Sequence, residues 1–369
     1  MTRLSVGISS LAMGILVTMH FSDGEISTDC SGWGDTTSVL FAQAGAQEAW
    51  LAQAKTDAHP TQSAVGNPVF PGADPDVIIA DKNYWIYPTT DGKNNDAFYV
   101  HSSADLKNWK TSGPILNMAD IGWVKADGAP WHQLWAPGIL HENNKYYLYY
   151  SVGPQNPTPS RIGVAVSETP DGKFKDIGKP LITGGNGFEA IDPMIFKDPK
   201  SGEHYLYCGG SAGSKLRVYK LNPDLTSIEK ELPVTNPKNF TEGAFMHYRN
   251  GTYYLSYSNG HWDKSDYSVH YSTAGSPAGP WTYKGPILQS NKEHLGPGHH
   301  AFLQNPDTGK WYIVYHRWNN AGSTGKMPGS RSVAIDSLEY DKDGNIIPIN
   351  MTNTGVDTTL LKRSKAQST

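Results

Sequence analysis

Cysteine is scarce. Cys30 and Cys208 are the only two in 369 residues, too few for a disulfide framework and without the spacing of a metal-binding pair. Charge is thin as well: Asp, Glu, Lys and Arg make up 18% of the chain, with 31 basic against 35 acidic residues and a net charge of -4. No polybasic run breaks that balance, so neither nucleic acid nor an anionic membrane is expected as a partner. An apolar period of 3.6 rarely survives two turns, which excludes a helical bundle or coiled coil. His294, His299 and His300 lack the helical H-E-x-x-H arrangement of a zinc hydrolase. What the chain does have is 38 Gly, 25 Pro, 20 Tyr and 11 Trp, the profile of short aromatic strands joined by tight turns.

The ends are read separately. Residues 4–19 form an apolar run after Arg3, rather short for a membrane span, which needs roughly 20 apolar residues. With Ala42-Gln43-Ala44 as an A-x-A site, residues 1–44 read as a signal or leader segment, and the protein as secreted or periplasmic. Residues 45–65 read as a short helical or irregular segment, with an Ala/Gln-rich helix placed at 42–58, and 356–369 as a polar tail. One compact domain, 66–355, remains.

Within it, aromatic strands recur every 50 to 60 residues: Tyr84–Tyr87, Tyr146–Tyr150, Tyr205–Tyr207, Tyr253–Tyr257 and Trp311–Tyr315. Each follows a polar-to-apolar start by about ten residues, and each precedes another strand, at 97–103, 161–167, 216–221, 267–272 and 332–337. Five copies of a three- or four-stranded unit predict an all-β fold, a five-bladed β-propeller. A β-sandwich gives turn signals every 8–12 residues but no such long period.

In a propeller the first strand of each blade lines the channel, so the five starts converge on one mouth. They bring Asp74, Trp135, Asp192, Glu242 and His299 together. Asp-Pro is a common turn opener, yet Asp74-Pro75 and Asp192-Pro193 stand at matched blade positions with Glu242 at a third. Grouped carboxylates raise one another's pKa, so stability alone would not select them. One protonated and one ionised carboxylate across a bond is what glycoside hydrolysis requires. Trp135 would offer a flat face to a sugar ring. Arg317, at the end of a fifth-blade strand, is a second candidate for substrate contact. Asp76 points to the same side of its strand as Asp74, which is preferred because it opens the strand.

The stretches Asn67–Ile78, Leu134–Pro137, Glu189–Pro193, Thr241–Ala244 and Gly296–His300, in this order, resemble glycoside hydrolase family 43. These are five-bladed enzymes that trim arabinose and xylose from plant polysaccharides. The resemblance implies an inverting glycosidase releasing terminal α-L-arabinofuranosyl or β-D-xylosyl units, with Asp74 as general base, Glu242 as general acid and Asp192 tuning that acid. It also implies that His299 lies below the sugar site, where some members hold calcium through water, and that the chemistry needs no cofactor. Ala244 stands where many members carry Pro. No stretch resembling the C-terminal β-sandwich of larger β-xylosidases follows, so a more open site is expected. The expected partner is a carbohydrate, bound by a monomer. Endo-arabinanase and exo-β-1,3-galactanase remain alternatives, as does a non-catalytic sugar-binding propeller. Asp74 on blade one and Glu242 on blade four should leave the wide gap, roughly 6.5–9.5 Å, that an inverting enzyme fills with water.

Overall fold

The computed structural model of the chain describes residues 19–22, 25–28, 66–91, 95–211, 213–319, 327 and 330–357. The chain divides into two units, Met1–Pro60 and Thr61–Thr369. In the first, Met19–Ser22 pairs antiparallel with Glu25–Thr28. The helix expected at 42–58 lies outside the described residues, as do most of the expected leader and of the C-terminal tail. No helix among the described residues is long and apolar enough to cross a membrane.

The second unit is a five-bladed propeller. Blade I is Ala73–Ala80, Asn83–Thr89, Ala97–Ser103 and Lys110–Asn117, paired in that order. Blade II is Gln133–Glu142, Lys145–Gly153 and Arg161–Ser167, with the short outer pieces Lys175–Asp176 and Ile182–Thr183. Blade III runs Met194–Lys197, His204–Cys208, Arg217–Leu221, Ile228–Leu232, and blade IV Glu242–Arg249, Thr252–Asn259, Ser268–Ala274, Thr282–Leu288. Blade V has His294–Gln304, Trp311–Asn319 and Ser332–Leu338, and takes its outer strand, Phe70–Pro71, from the start of the domain. That borrowed strand closes the ring.

The second strand of each blade reads as nearly continuous aromatic and aliphatic sequence because it is covered on both faces. Alternate residues of a strand point to opposite sides, and here both sides meet a neighbouring blade. Tyr150 packs with Trp85 and Phe98 of blade I, whereas Tyr149 packs with Ile195 and Leu206 of blade III. Similar clusters fill the III–IV, IV–V and V–I interfaces, so the core is five apolar wedges arranged around the channel. Outer strands such as Ile228–Leu232 are largely exposed. Asp76 serves this packing: its carboxylate accepts the amide N–H of Ile139, 2.8 Å away, on the inner strand of the next blade.

Candidate active site

The mouth of the channel is built by one local device, repeated. Each blade enters its inner strand through a residue with positive φ: Asp74 at 48°, Ala136 at 42°, Asp192 at 57°, Gly243 at 61° and His299 at 37°. Such backbone is costly for residues other than Gly and is kept where surroundings enforce it, commonly at functional sites. What enforces it is a hydrogen bond from that residue's amide to the preceding blade. Ala136 donates to Thr89 Oγ1 at 2.6 Å, Asp192 to Ser151 Oγ at 2.9 Å, His299 to Ser258 Oγ at 2.9 Å and Asp74 to His316 Nδ1 at 3.1 Å. The strand registers put Gly209 at the corresponding place of blade III. Its φ is 131° and an added Cβ would lie 1.8 Å from the Lys215 carbonyl oxygen, so no side chain fits there. The amide of Gly243 turns instead to Asp192 Oδ2, at 3.0 Å.

The blade starts named from the sequence are therefore not all equivalent. Asp74, Asp192 and His299 occupy the positive-φ position. Trp135 and Glu242 stand one residue earlier, because Ala136 and Gly243 fill that position with little or no side chain. Trp135 thus holds in blade II the place that Glu242 holds in blade IV. Its indole lies against Gly153, where an added Cβ would be 2.0 Å from the ring, and its Nε1 donates to Gln133 Oε1 at 3.1 Å.

The three carboxylates are buried and differ in surroundings. Asp74 Oδ1 is 3.2 Å from Arg331, 3.2 Å from His316 Nδ1 and 3.5 Å from His299 Nδ1. Burial opposes its ionisation, but Arg331, His299 and His316 outweigh burial and hold it well below the usual carboxylate range. Arg331 is the permanent charge among them, since burial pushes His299 down to about 4. Arg331 is itself anchored by Asp91, 3.3 Å away. Glu242 is pushed up to about 7 by burial and by the charges of Asp74 and Glu189, against the hydrogen bond that Tyr267 donates to its Oε1 at 2.8 Å. Asp192 is raised well above its ordinary value by burial, then by Glu242, Asp74 and Glu189. The result is one carboxylate kept ionised and another kept protonated near neutral pH, the pairing an acid–base hydrolase needs.

Arg317, expected to contact substrate, is turned away. It is fully buried and donates to the Thr352 carbonyl at 2.9 Å and to Asn353 Oδ1 at 3.3 Å, tying the end of the domain to blade V. Its neighbour His316 faces Asp74, as the alternation of a strand requires. The arginine of the site is Arg331, just before the third strand of that blade.

His299 stands between two acids, its Nδ1 3.6 Å from Asp192 Oδ2 as well as 3.5 Å from Asp74. Among the described residues no three His, Cys, Asp or Glu side chains are grouped to hold a metal ion. Calcium takes six to eight oxygen ligands, and a ring nitrogen aimed at two carboxylates does not fit direct ligation.

Arg331, His316, Tyr267 and Glu189 escaped the sequence reasoning. His316 had a signal, because it directly follows the aromatic run of its second strand as Ser151 and Ser258 do. Arg331 and Tyr267 lie where long loops return to third strands, a place no local pattern marks.

The sequence profile described as "Glycosyl hydrolases family 43" matches residues 65–346. The chain is 36% identical over 330 residues to a β-D-galactofuranosidase of Aspergillus niger, covering 82% of this chain and 92% of that protein. It is 32% identical to a xylosidase/arabinosidase of Bacteroides ovatus, covering 75% of this chain and 94% of that one. Among solved structures, a β-xylosidase/α-arabinofuranosidase from a compost metagenome, in complex with xylotriose and calcium-free, superposes with a TM-score of 0.63 at 27% identity, over 80% of this chain and 99% of that one. An α-L-arabinofuranosidase of Clostridium thermocellum does so with a TM-score of 0.61 at 32% identity, over 78% and 95%. The chain belongs to glycosyl hydrolase family 43 and is a glycosidase.

Proposed function

We propose that this glycosidase inverts configuration while releasing terminal α-L-arabinofuranosyl or β-D-xylosyl units from plant-type polysaccharides and their oligosaccharides. The observation that carries the mechanism is the opposed surroundings of two buried carboxylates on separate blades, Asp74 paired with Arg331 at 3.2 Å and Glu242 beside the Tyr267 hydroxyl at 2.8 Å. Asp74, held ionised by Arg331, takes a proton from water as that water attacks the anomeric carbon. Glu242, holding its proton to about pH 7, gives it to the departing oxygen. Asp192 accepts the amide N–H of Gly243, next to Glu242, and so fixes the backbone that carries the acid, while the charges of Asp74 and Glu189 help keep that acid protonated. Trp135 offers its face to the sugar.

The chemistry uses no cofactor, and no step passes through a metal. A calcium ion held through water near His299 is a separate proposal, as are action as a monomer and export from the cell. For export the support is the apolar run at 4–19 and Ala42-Gln43-Ala44. The Aspergillus relative favours including galactofuranose among candidate sugars.

A panel of nitrophenyl arabinofuranoside, xyloside, galactoside and galactofuranoside with linear arabinan identifies the sugar. Proton NMR of the first-released sugar should show the anomer opposite to that of the substrate. Release of the same anomer would overturn the assigned roles.

A further inference from the structure

Loop 260–267 of blade IV spans both reacting carboxylates. At its far end Tyr267 donates to Glu242. Near its start the Trp262 ring lies 4.9 Å from the guanidinium carbon of Arg331, the residue bound to Asp74. The loop is held in shape by its own turns, Lys264 N–H to His261 oxygen at 2.9 Å and Tyr267 N–H to Lys264 oxygen at 3.2 Å. Trp318 pins it further, donating from Nε1 to the Trp262 carbonyl at 3.2 Å and stacking on the Trp262 ring at 6.3 Å. Trp262 nonetheless stays 41% exposed, whereas Asp74, Asp192 and Glu242 are each no more than 8% exposed. A ligand seated at the mouth would cover the part of the Trp262 ring that Arg331, Trp318 and His261 leave exposed, and would meet it already fixed in place.

We infer that Trp262 is the platform for the sugar on the leaving-group side of the scissile bond. The released unit must reach down to the buried Asp74 and Glu242, so the rest of the chain lies outward, at the height of the rim. Sugars present C–H faces to indole rings, and a preset ring adds affinity at little entropic cost. This rests on the glycosidase reading above and deepens it: the enzyme prefers substrates whose leaving group is itself a sugar.

The test compares kcat/KM on the oligosaccharide that the protein cleaves best with kcat/KM on the matching nitrophenyl glycoside. Trp262→Ala should lower the ratio of the two about tenfold, and Trp262→Phe should restore most of it. An equal fall on both substrates would mean that Trp262 acts through Arg331 on Asp74, and would overturn the inference, as would no change on either. If the wild-type protein cleaves none of the panel, the proposed function fails, and calorimetry still reads this inference. Oligosaccharide binding about tenfold weaker in Trp262→Ala supports it; unchanged binding overturns it.

Discussion

A carboxyl group that keeps its proton to about pH 7, against an ordinary 4.5, binds that proton more tightly in the folded chain than in the unfolded one. Folding stability therefore falls as pH rises from about 4.5 to 7 and stays lowered above that. Glu242→Gln removes the penalty. We expect its Tm to exceed that of the wild type by roughly 3–6 °C at pH 8, with the gap closing by pH 4; a gap independent of pH would point to packing instead. The same proton sets the kinetics. Activity on sugars with poor leaving groups should fall as pH passes 7, while the low-lying Asp74 leaves the acid side unhindered. Glu242→Ala should cost about 10²–10⁴-fold on such substrates and far less on activated aryl glycosides, whereas Asp74→Ala should depress both. Glu189 is buried near the pair and takes a hydrogen bond from Ser211 at 3.2 Å. Its charge raises both Glu242 and Asp192, so Glu189→Gln should move the alkaline fall in activity to lower pH. A pH profile laid over that of the wild type would remove Glu189 from the account.

At the scale of elements, the second strand of blade V shows how alternation divides labour. His316 and Arg317 are adjacent, both fully buried, and face opposite ways. Arg317→Ala strips donors from the Thr352 carbonyl and from Asn353, and should lower Tm by roughly 5–10 °C while kcat/KM of the folded protein stays within about twofold. His316→Ala acts on Asp74 and should instead lower kcat. Thermal melts beside steady-state kinetics separate the two; a large loss of kcat in Arg317→Ala would reverse the assignment. This pair also marks where the sequence could be read. Inner and second strands were legible because burial on both faces writes them in aromatic and aliphatic residues, and Asp74, Asp192 and Glu242 were legible because they recur at matched places. Fourth strands such as Ile228–Leu232 were not, because exposure lets Glu231 and Lys230 occupy them. Nor could the sequence show that Glu242 stands one residue before the position of Asp192. That offset depends on the positive φ of Gly243, and on Gly209 leaving the Gly243 amide for Asp192 to bind.

The whole ring depends on a closure made early in the chain and completed at its end. Val69 donates to the Val333 carbonyl at 2.9 Å, and Gly72 to that of Arg331 at 3.1 Å. Buried Asn67 extends the seam with both ends of its amide, donating to the Ile335 oxygen at 2.9 Å and accepting from the Ile335 N–H at 2.8 Å. Blade V thereby gains its outer strand, and the strand leads within three residues to Asp74, while the same seam holds Arg331 beside it. Stability and catalysis are thus joined at one place. Asn67→Ala leaves two buried backbone groups unmet, about 2–4 kcal/mol, and should lower Tm by roughly 5–15 °C. The stronger test is truncation. A chain starting at Thr61 retains every closure contact and should match the full chain in Tm and kcat/KM. A chain starting at Ala73 keeps all the catalytic residues but leaves blade V with three strands and its Val333 edge uncovered. It should lose cooperative unfolding and all but a trace of activity, read by calorimetry and by hydrolysis of the best nitrophenyl glycoside. Full activity in that shorter chain would show that the site is held by the blades singly, and that closing the ring contributes nothing to aligning Arg331 with Asp74.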